Sequence, residues 1–177
     1  GSFTGIRIGV ATAKAFKDCL EIPCIGISSL ETLAYGIINI INENDIICSI
    51  INCNNDNCYF ALYQKKANAL EELIEPQTEN IDVSLSILES YISDTLENKS
   101  IIFVGDGSNI YKNNINLFFS SANFVDSKLN TLNSYALGLA GFNKYNIGIY
   151  STEVLPLYLK KPQAQRLLEE KEKKLNK

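Results

Sequence analysis

The sequence begins with GSFTGIRIGVATAKAF, residues Gly1–Phe16, and this stretch decides how the rest of the chain is interpreted. Its first five residues predict a turn, and the remainder predicts a helix that runs to about Leu20. Gly5, Gly9 and Ala13 are spaced four residues apart, so they lie in a row on one face of that helix. A face with almost no side chains lets another backbone approach closely. The function therefore depends on what packs against this face.

The composition excludes several classes of protein. The 177 residues are 46% hydrophobic and 20% charged, which is typical of a folded domain and not of a disordered chain. The net charge of −4 disfavours direct binding to nucleic-acid phosphates. Lys160, Lys161 and Arg166 form the one basic segment, which is better explained as a solvated helix end. The sequence contains no histidine, so Ser-His-Asp and Cys-His catalysis and His-ligated metal sites are excluded.

The cysteines and the apolar runs indicate the setting of the protein. Five cysteines occur without any C-x-x-C pair, which favours a reduced, cytoplasmic environment and small buried thiols over a metal site. No apolar run has the length needed to span a membrane. The sequence contains no methionine, so we expect the translated protein to begin upstream of Gly1.

Predicted strands and helices alternate along the chain, which indicates an α/β protein. The apolar run Ile22–Ile27 predicts a buried strand. Ser28 and Glu31 form the S-x-x-E capping pattern, which starts a second helix running to about residue 42. Ile46–Asn52 and Cys58–Lys65 predict a hairpin around an Asn-rich turn. Later elements are expected as helices over about 82–97, 109–119 and 131–142 and as strands over 101–104 and 123–125.

A second glycine-containing turn is the main candidate for chemistry. Gly105, Asp106, Gly107 and Ser108 follow a predicted strand and precede a helix, where α/β folds bind phosphate. A tight structural turn requires the same residue types, so both interpretations stay open. No Walker lysine follows, which excludes a P-loop. Outside this turn no catalytic residue is expected, and Glu71-Glu72 is predicted to be exposed charge with ordinary pKa values.

Several segments together resemble one protein family. The opening stretch is similar to the signature G-P-G-S-F-T-G-L-R-I-G-x-A-x-A-K of the TsaB (YeaZ) family, the bacterial partner proteins in threonylcarbamoyladenosine modification of tRNA. ISSLETLAY resembles the family's SSLEALA helix start, and SIINCNNDNCYFALYQ resembles its hairpin D-A-R-x-x-x-V-Y-A-A-L-Y. FVGDGS and LPLYLKKPQAQR are similar to its V-G-D-G-A turn and its closing segment P-x-Y-L-R-x-x-Q-A-E-R. The family's hairpin Asp and Arg are replaced here by Asn52 and Asn54.

The resemblance implies a two-lobed actin/Hsp70/sugar-kinase-like fold, related to ribonuclease H, with the N-terminal lobe incomplete in this chain. We expect residues 1–44 to belong to that lobe and to carry partner-facing helices. Residues 45–152 would form the C-terminal lobe, and residues 153–177 an extended segment and a charged helical tail. The resemblance also places a partner interface on the first helix and the turn before it, at Ser2, Phe3, Thr4, Gly5, Arg7, Ile8, Gly9, Thr12, Ala13 and Phe16.

The implied function is that of a non-catalytic scaffold for a TsaD-like catalytic subunit, joined by a TsaE-like ATPase. tRNA would be contacted only through the complex. No tightly bound cofactor or metal is expected, and ATP or ADP is considered only at the partner interface of the assembly. Two alternatives are an actin-like ATP-binding enzyme that uses the Gly105–Ser108 turn and a homodimeric regulatory protein. A homodimer of the chain alone is also compatible with the scaffold function.

Overall fold

The computed structural model describes residues 3–95 and 100–159, which form a five-stranded sheet with helices on both faces. The strands are β1 (Ile46–Asn52), β2 (Asn57–Lys66), β3 (Ala69–Asn80), β4 (Ile101–Val104) and β5 (Asn123–Phe124). The helices are α1 (Phe3–Leu20), α2 (Ser29–Tyr35), α3 (Ile81–Thr95), α4 (Asp106–Ile110), α5 (Lys112–Phe118) and α6 (Ser134–Asn146). A 3-10 turn spans Ser127–Leu129.

The sheet has the order β3-β2-β1-β4-β5. β1 pairs antiparallel with β2 and parallel with β4, and β4 pairs parallel with β5. The predicted hairpin is confirmed, with Asn52 opposite Cys58. Asn54, Asn55 and Asp56 all have positive φ angles in its turn, a conformation that Asn and Asp tolerate better than most residues.

The central strands are apolar on both faces because each face is covered by helices. Ile46, Cys48 and Ile50 of β1 are buried against α3 and α5. Ile47, the next residue along from Ile46, lies on the opposite face in the core beside α2. The alternation follows from the two-residue repeat of a strand and explains why β1 is a nearly continuous apolar run.

The predicted buried strand Ile22–Ile27 is wrong. The structure has only an isolated bridge there, between Cys24 and Ser151, and Ile22 is 46% exposed. β3, in contrast, forms where the sequence predicts no strand. Its glutamates and Pro76 disfavour a strand locally, but β3 lies at the sheet edge, where such residues are tolerated.

Several element boundaries also differ from the predictions. α1 already begins at Phe3, within the predicted turn over residues 1–5. α2 ends at Tyr35, and successive turns replace the helix predicted up to residue 42. The predicted helix after Gly105 is divided at Tyr111 into α4 and α5. The predicted C-terminal tail helix, the basic residues Lys160, Lys161 and Arg166 and the end of the helix predicted to residue 97 lie outside the described residues. The division into three regions stays a prediction.

Within the described part of the chain, no helix combines the length and the apolar character needed to cross a membrane.

Candidate partner interface

α1 lies on the surface along its whole length. Among its described side chains, Val10 and Lys17 are half-buried and the others are exposed. These two residues are seven positions apart, so they share one face of the helix. A helix with so little burial obtains little stabilisation from the core of the same chain.

The side of α1 that contacts the rest of the chain faces the segment 151–158. Arg7 donates a hydrogen bond from Nε to the hydroxyl of Tyr158 over 3.0 Å. Lys17 donates from Nζ to the carbonyl oxygen of Thr152 over 2.6 Å. Arg7 therefore points toward this segment of its own chain, although the sequence places it among the interface residues.

The stripe formed by Gly5, Gly9 and Ala13 is exposed. A Cβ atom added to Gly9 would meet no atom outside the helix within 4 Å. At Gly9, therefore, the described residues do not use the close approach that a residue without a side chain permits.

The other predicted interface residues can be placed as follows. Ser2 lies outside the described residues, and of Phe3 only the backbone is described. The hydroxyl of Thr12 donates to the carbonyl oxygen of Ile8 over 2.9 Å, so it is used within the helix. The remaining predicted residues all lie on α1 and are exposed: Thr4, Gly5, Arg7, Ile8, Gly9, Thr12, Ala13 and Phe16.

Large apolar side chains are exposed on α1 and in residues 132–158. Ile8 and Phe16 are 63% and 57% exposed, and Leu20 on the same helix is similar. Further exposed apolar residues follow in α6 and the segment after it: Tyr135, Leu137, Phe142, Tyr145, Ile147, Ile149, Leu155, Leu157 and Tyr158. Concentrations of exposed apolar surface mark interaction sites. This second region cannot be recognised from the sequence, because its apolar residues also fit a helix that packs on a core.

Three polar groups of the Gly105 turn have hydrogen-bond partners within the chain. Gly105 has a φ of +104°, and its N–H donates to the side-chain oxygen of Asn130 over 2.8 Å. The hydroxyl of Ser108 is buried and donates to the carbonyl oxygen of Gly105 over 2.7 Å. A carboxylate oxygen of Asp106 accepts from the N–H of Asn52 over 3.1 Å. These contacts favour a structural role for the turn, and phosphate binding there stays a prediction.

Asn52, which replaces the family's hairpin Asp, has a structural role. Its side-chain oxygen accepts from the hydroxyl of Tyr111 over 2.7 Å and from the N–H of Asn54 over 3.0 Å. The neutral amide thereby fixes the hairpin turn to the start of α5.

Comparison with known proteins shows the family of this chain. A family model described as "TsaD: tRNA N6-adenosine threonylcarbamoyltransferase" matches residues 1–175. The TsaB tRNA threonylcarbamoyladenosine biosynthesis protein of Bacillus subtilis (strain 168) is 30% identical over 125 residues, which cover 71% of this chain and 51% of that protein. The protein of the same name from Escherichia coli (strain K12) is 36% identical over 70 residues, or 40% of this chain and 30% of that protein. The chain therefore spans about half the length of the Bacillus subtilis protein and less than a third of the Escherichia coli protein.

Two solved structures from Pseudomonas aeruginosa have the same fold. YeaZ has a TM-score of 0.69 at 17% identity, and a protein described as uncharacterized with similarity to peptidase YEAZ has a TM-score of 0.66 at 19% identity. Each comparison covers 90% of this chain and 69% of the other.

The mixed sheet and the flanking helices, together with these structures, place the chain in the actin-like fold class. The chain belongs to the TsaB (YeaZ) family, as its opening motif indicates.

Proposed function

We propose that this chain is a non-catalytic scaffold that binds and activates a TsaD-like subunit in threonylcarbamoyladenosine modification of tRNA. The observation that carries the proposal is the exposed face of α1 at Gly9, where an added Cβ would meet no described atom outside the helix within 4 Å. The names of the two TsaB relatives support the pathway.

The roles that we assign to this chain and to its partner follow from the residues that the chain lacks and from its charge. Without histidine, it has neither the imidazole base nor the His metal ligands on which many transfer reactions depend. A net charge of −4 disfavours direct contact with tRNA. We therefore assign group transfer to the TsaD-like partner and tRNA contact to the assembly. A TsaE-like ATPase would join it, and ATP or ADP would be bound at the partner interface.

Two alternative functions would use different residues of this chain. A homodimer would cover the stripe of α1 with a second copy of this helix, as two-fold contacts commonly do. An ATP-binding enzyme would need the Gly105–Ser108 turn to present free donors to phosphate. In this chain Gly105 N–H and Ser108 hydroxyl are already used by internal acceptors, so we favour the scaffold.

The test is to mix the protein, as the complete gene product, with the TsaD-like protein of the same organism. Molar mass is measured by size-exclusion chromatography with light scattering, for the mixture and for each protein alone. We expect a one-to-one complex that Gly9→Leu abolishes, because the leucine occupies the space needed by the partner. Ala11→Leu is the matched control, because residue 11 is exposed on the opposite side of α1.

Circular dichroism and thermal unfolding would show that both variants keep the fold of the parent protein. A complex that survives Gly9→Leu would refute the α1 interface. Two unshifted peaks for the parent mixture would refute the scaffold. Heat from ATP and magnesium in calorimetry of the protein alone would support the enzyme instead.

A further inference from the structure

The segment of residues 151–158, which we call the strap, runs beside α1 after the end of α6. Near its start, the carbonyl oxygen of Thr152 accepts a hydrogen bond from Lys17. Near its end, the hydroxyl of Tyr158 accepts one from Arg7. Lys17 and Arg7 are about three helical turns apart, so the strap contacts α1 along most of its length.

The strap and the stripe of small residues lie on different sides of α1. Arg7, Val10 and Lys17 are separated by three and seven residues, which is the spacing of one helix face. Val10 and Lys17 are also the half-buried residues among the described side chains of α1. Gly9 follows Arg7 by two positions, which rotates it by about 200° around the helix axis. The strap therefore holds the helix from one side and leaves the stripe exposed on another.

The strap is also bonded to the connection between α1 and α2. The N–H of Ser151 donates to the carbonyl oxygen of Cys24 over 2.8 Å, and the Ser151 hydroxyl accepts from the N–H of Gly26 over 2.8 Å. Cys24 and Gly26 lie between the end of α1 and the start of α2. The helix, the connection after it and the strap are therefore bonded to one another.

The contact between α1 and the strap is polar and loosely packed. A cavity of about 380 Å³ lies between them, and its lining includes Lys14 and Asp18 of the helix and Val154 of the strap. Leu155 and Leu157 of the strap are 68% and 65% exposed, so they bury little apolar surface against the helix. Most of the stability of a helix in a protein comes from packing. Because α1 has so little packing, its position depends on the hydrogen bonds to the strap.

We propose that α1 and the strap form one unit that opens and closes cooperatively, so that the strap determines the position of the stripe. Opening of such a unit costs less free energy than global unfolding, because few buried apolar contacts are lost. Contacts that all require the closed state stabilise one another, so a change in the strap is transmitted to the whole helix. A protein bound at the stripe would then hold the strap closed as well, a consequence that rests on the proposed function.

The test is limited proteolysis with trypsin of the complete gene product without a partner, so its outcome does not depend on partner binding. Cleavage after Lys14 and Lys17 requires α1 to open, and at low trypsin concentration its rate follows the population of the open form. Mass spectrometry of the first fragments gives the rate at each lysine. Cleavage after Lys65 at the end of β2 reports on the sheet.

Two substitutions in the strap should release α1 without touching its sequence. Tyr158→Phe removes the hydroxyl that accepts from Arg7 and keeps the ring, and Ser151→Ala removes the acceptor for the N–H of Gly26. We expect each variant to be cleaved about two- to tenfold faster after Lys14 and after Lys17, by the same factor at both, because one hydrogen bond shifts an opening equilibrium by that much. Cleavage after Lys65 should keep the rate of the parent protein.

Tyr150→Phe is the matched control. The ring of Tyr150 packs edge-on against Tyr145, and within the described part of the chain its hydroxyl has no hydrogen bond. This variant should be cleaved like the parent protein. Unchanged cleavage of α1 in both strap variants would overturn the proposal, and so would faster cleavage after Lys17 alone. An equal acceleration after Lys65 would overturn it as well, because the sheet would then open together with the helix.

Discussion

A Cβ atom placed on Gly105 would lie 2.3 Å from the carbonyl oxygen of Ile50, so β1 and the turn after β4 touch through their backbones. The φ of +104° at Gly105 is also one that other residues rarely adopt. We expect Gly105→Ala to lower the free energy of unfolding by about 2 kcal/mol or more, because strain and clash add. Urea denaturation measures the change.

Gly138→Ala is the control for this substitution. Gly138 lies within α6, and its added Cβ would meet nothing within 4 Å. Alanine is the better helix former, so this variant should gain about 0.5–1 kcal/mol. If both variants were equally stable, the close approach at Ile50 would not constrain the turn.

Lys65 ties β2 to the turns that follow α2. Its ammonium donates to the carbonyl oxygens of Ile38 over 2.7 Å and Ile41 over 2.6 Å. We expect Lys65→Met to lower the free energy of unfolding by about 1–3 kcal/mol, because the two carbonyls lose their donor. Lys66→Met, at an exposed neighbour paired loosely with Glu71, should cost less than about 1 kcal/mol. Chemical denaturation of both variants provides the comparison, and equal costs would contradict this role for Lys65.

Glu72 should make the folded state less stable as the pH rises. Its pKa in the folded protein lies above the ordinary value of 4.5, so the folded state binds this proton more tightly than the unfolded state. The associated stability is present below pH 4.5 and is lost as the pH rises through the raised pKa. Glu72→Gln should therefore have the higher melting temperature at neutral pH and little advantage in acid. A melting-temperature series across pH, with Glu71→Gln as the reference, tests this; an advantage that is independent of pH would contradict it.

The cysteines should differ in their reaction with iodoacetamide. Burial raises the pKa of Cys58 to about 11, although its contact with Ser84 opposes the shift, and burial also raises the pKa of Cys48. Cys19 is exposed on α1. Because the thiolate is the reactive form, Cys19 should be alkylated first and the two buried thiols only after unfolding. Peptide mass spectrometry gives the order, and early labelling of Cys58 would mean that the hairpin opens locally.

The parts of the fold that local chemistry specifies were predictable. The N–H of Glu31 donates to the Ser28 hydroxyl over 3.0 Å, as the capping pattern indicates. β3 could not be found in this way, because its glutamates become a strand only through pairing with β2. The strand prediction for Ile22–Ile27 is wrong for the opposite reason. Its residues suit a strand, but the described chain offers it only the bridge to Ser151.

The stripe on α1 could be predicted because its residues follow the repeat of one helix, and the structure leaves it exposed. The ion pair between Glu31 and Lys144 could not be predicted, because only the tertiary fold brings α2 and α6 together. The sequence predicts ordinary pKa values for Glu71 and Glu72. Both side chains are exposed, as predicted, but desolvation and the nearby Glu31 raise the pKa of Glu72.

The surface position of α1 has a consequence for hydrogen exchange. Isolated helices shorter than about 12–15 residues are marginal in water, and in proteins most of the stability of a helix comes from packing. α1, with 18 residues, is only slightly longer and has little burial to protect its amide protons. Its amides should exchange faster than those of the buried strand β1, in a local opening that leaves the sheet intact. A protein that covers the stripe would slow exchange along the whole helix. Slow opening of α1 would then require the partner protein, whereas slow opening of the sheet would require only this chain.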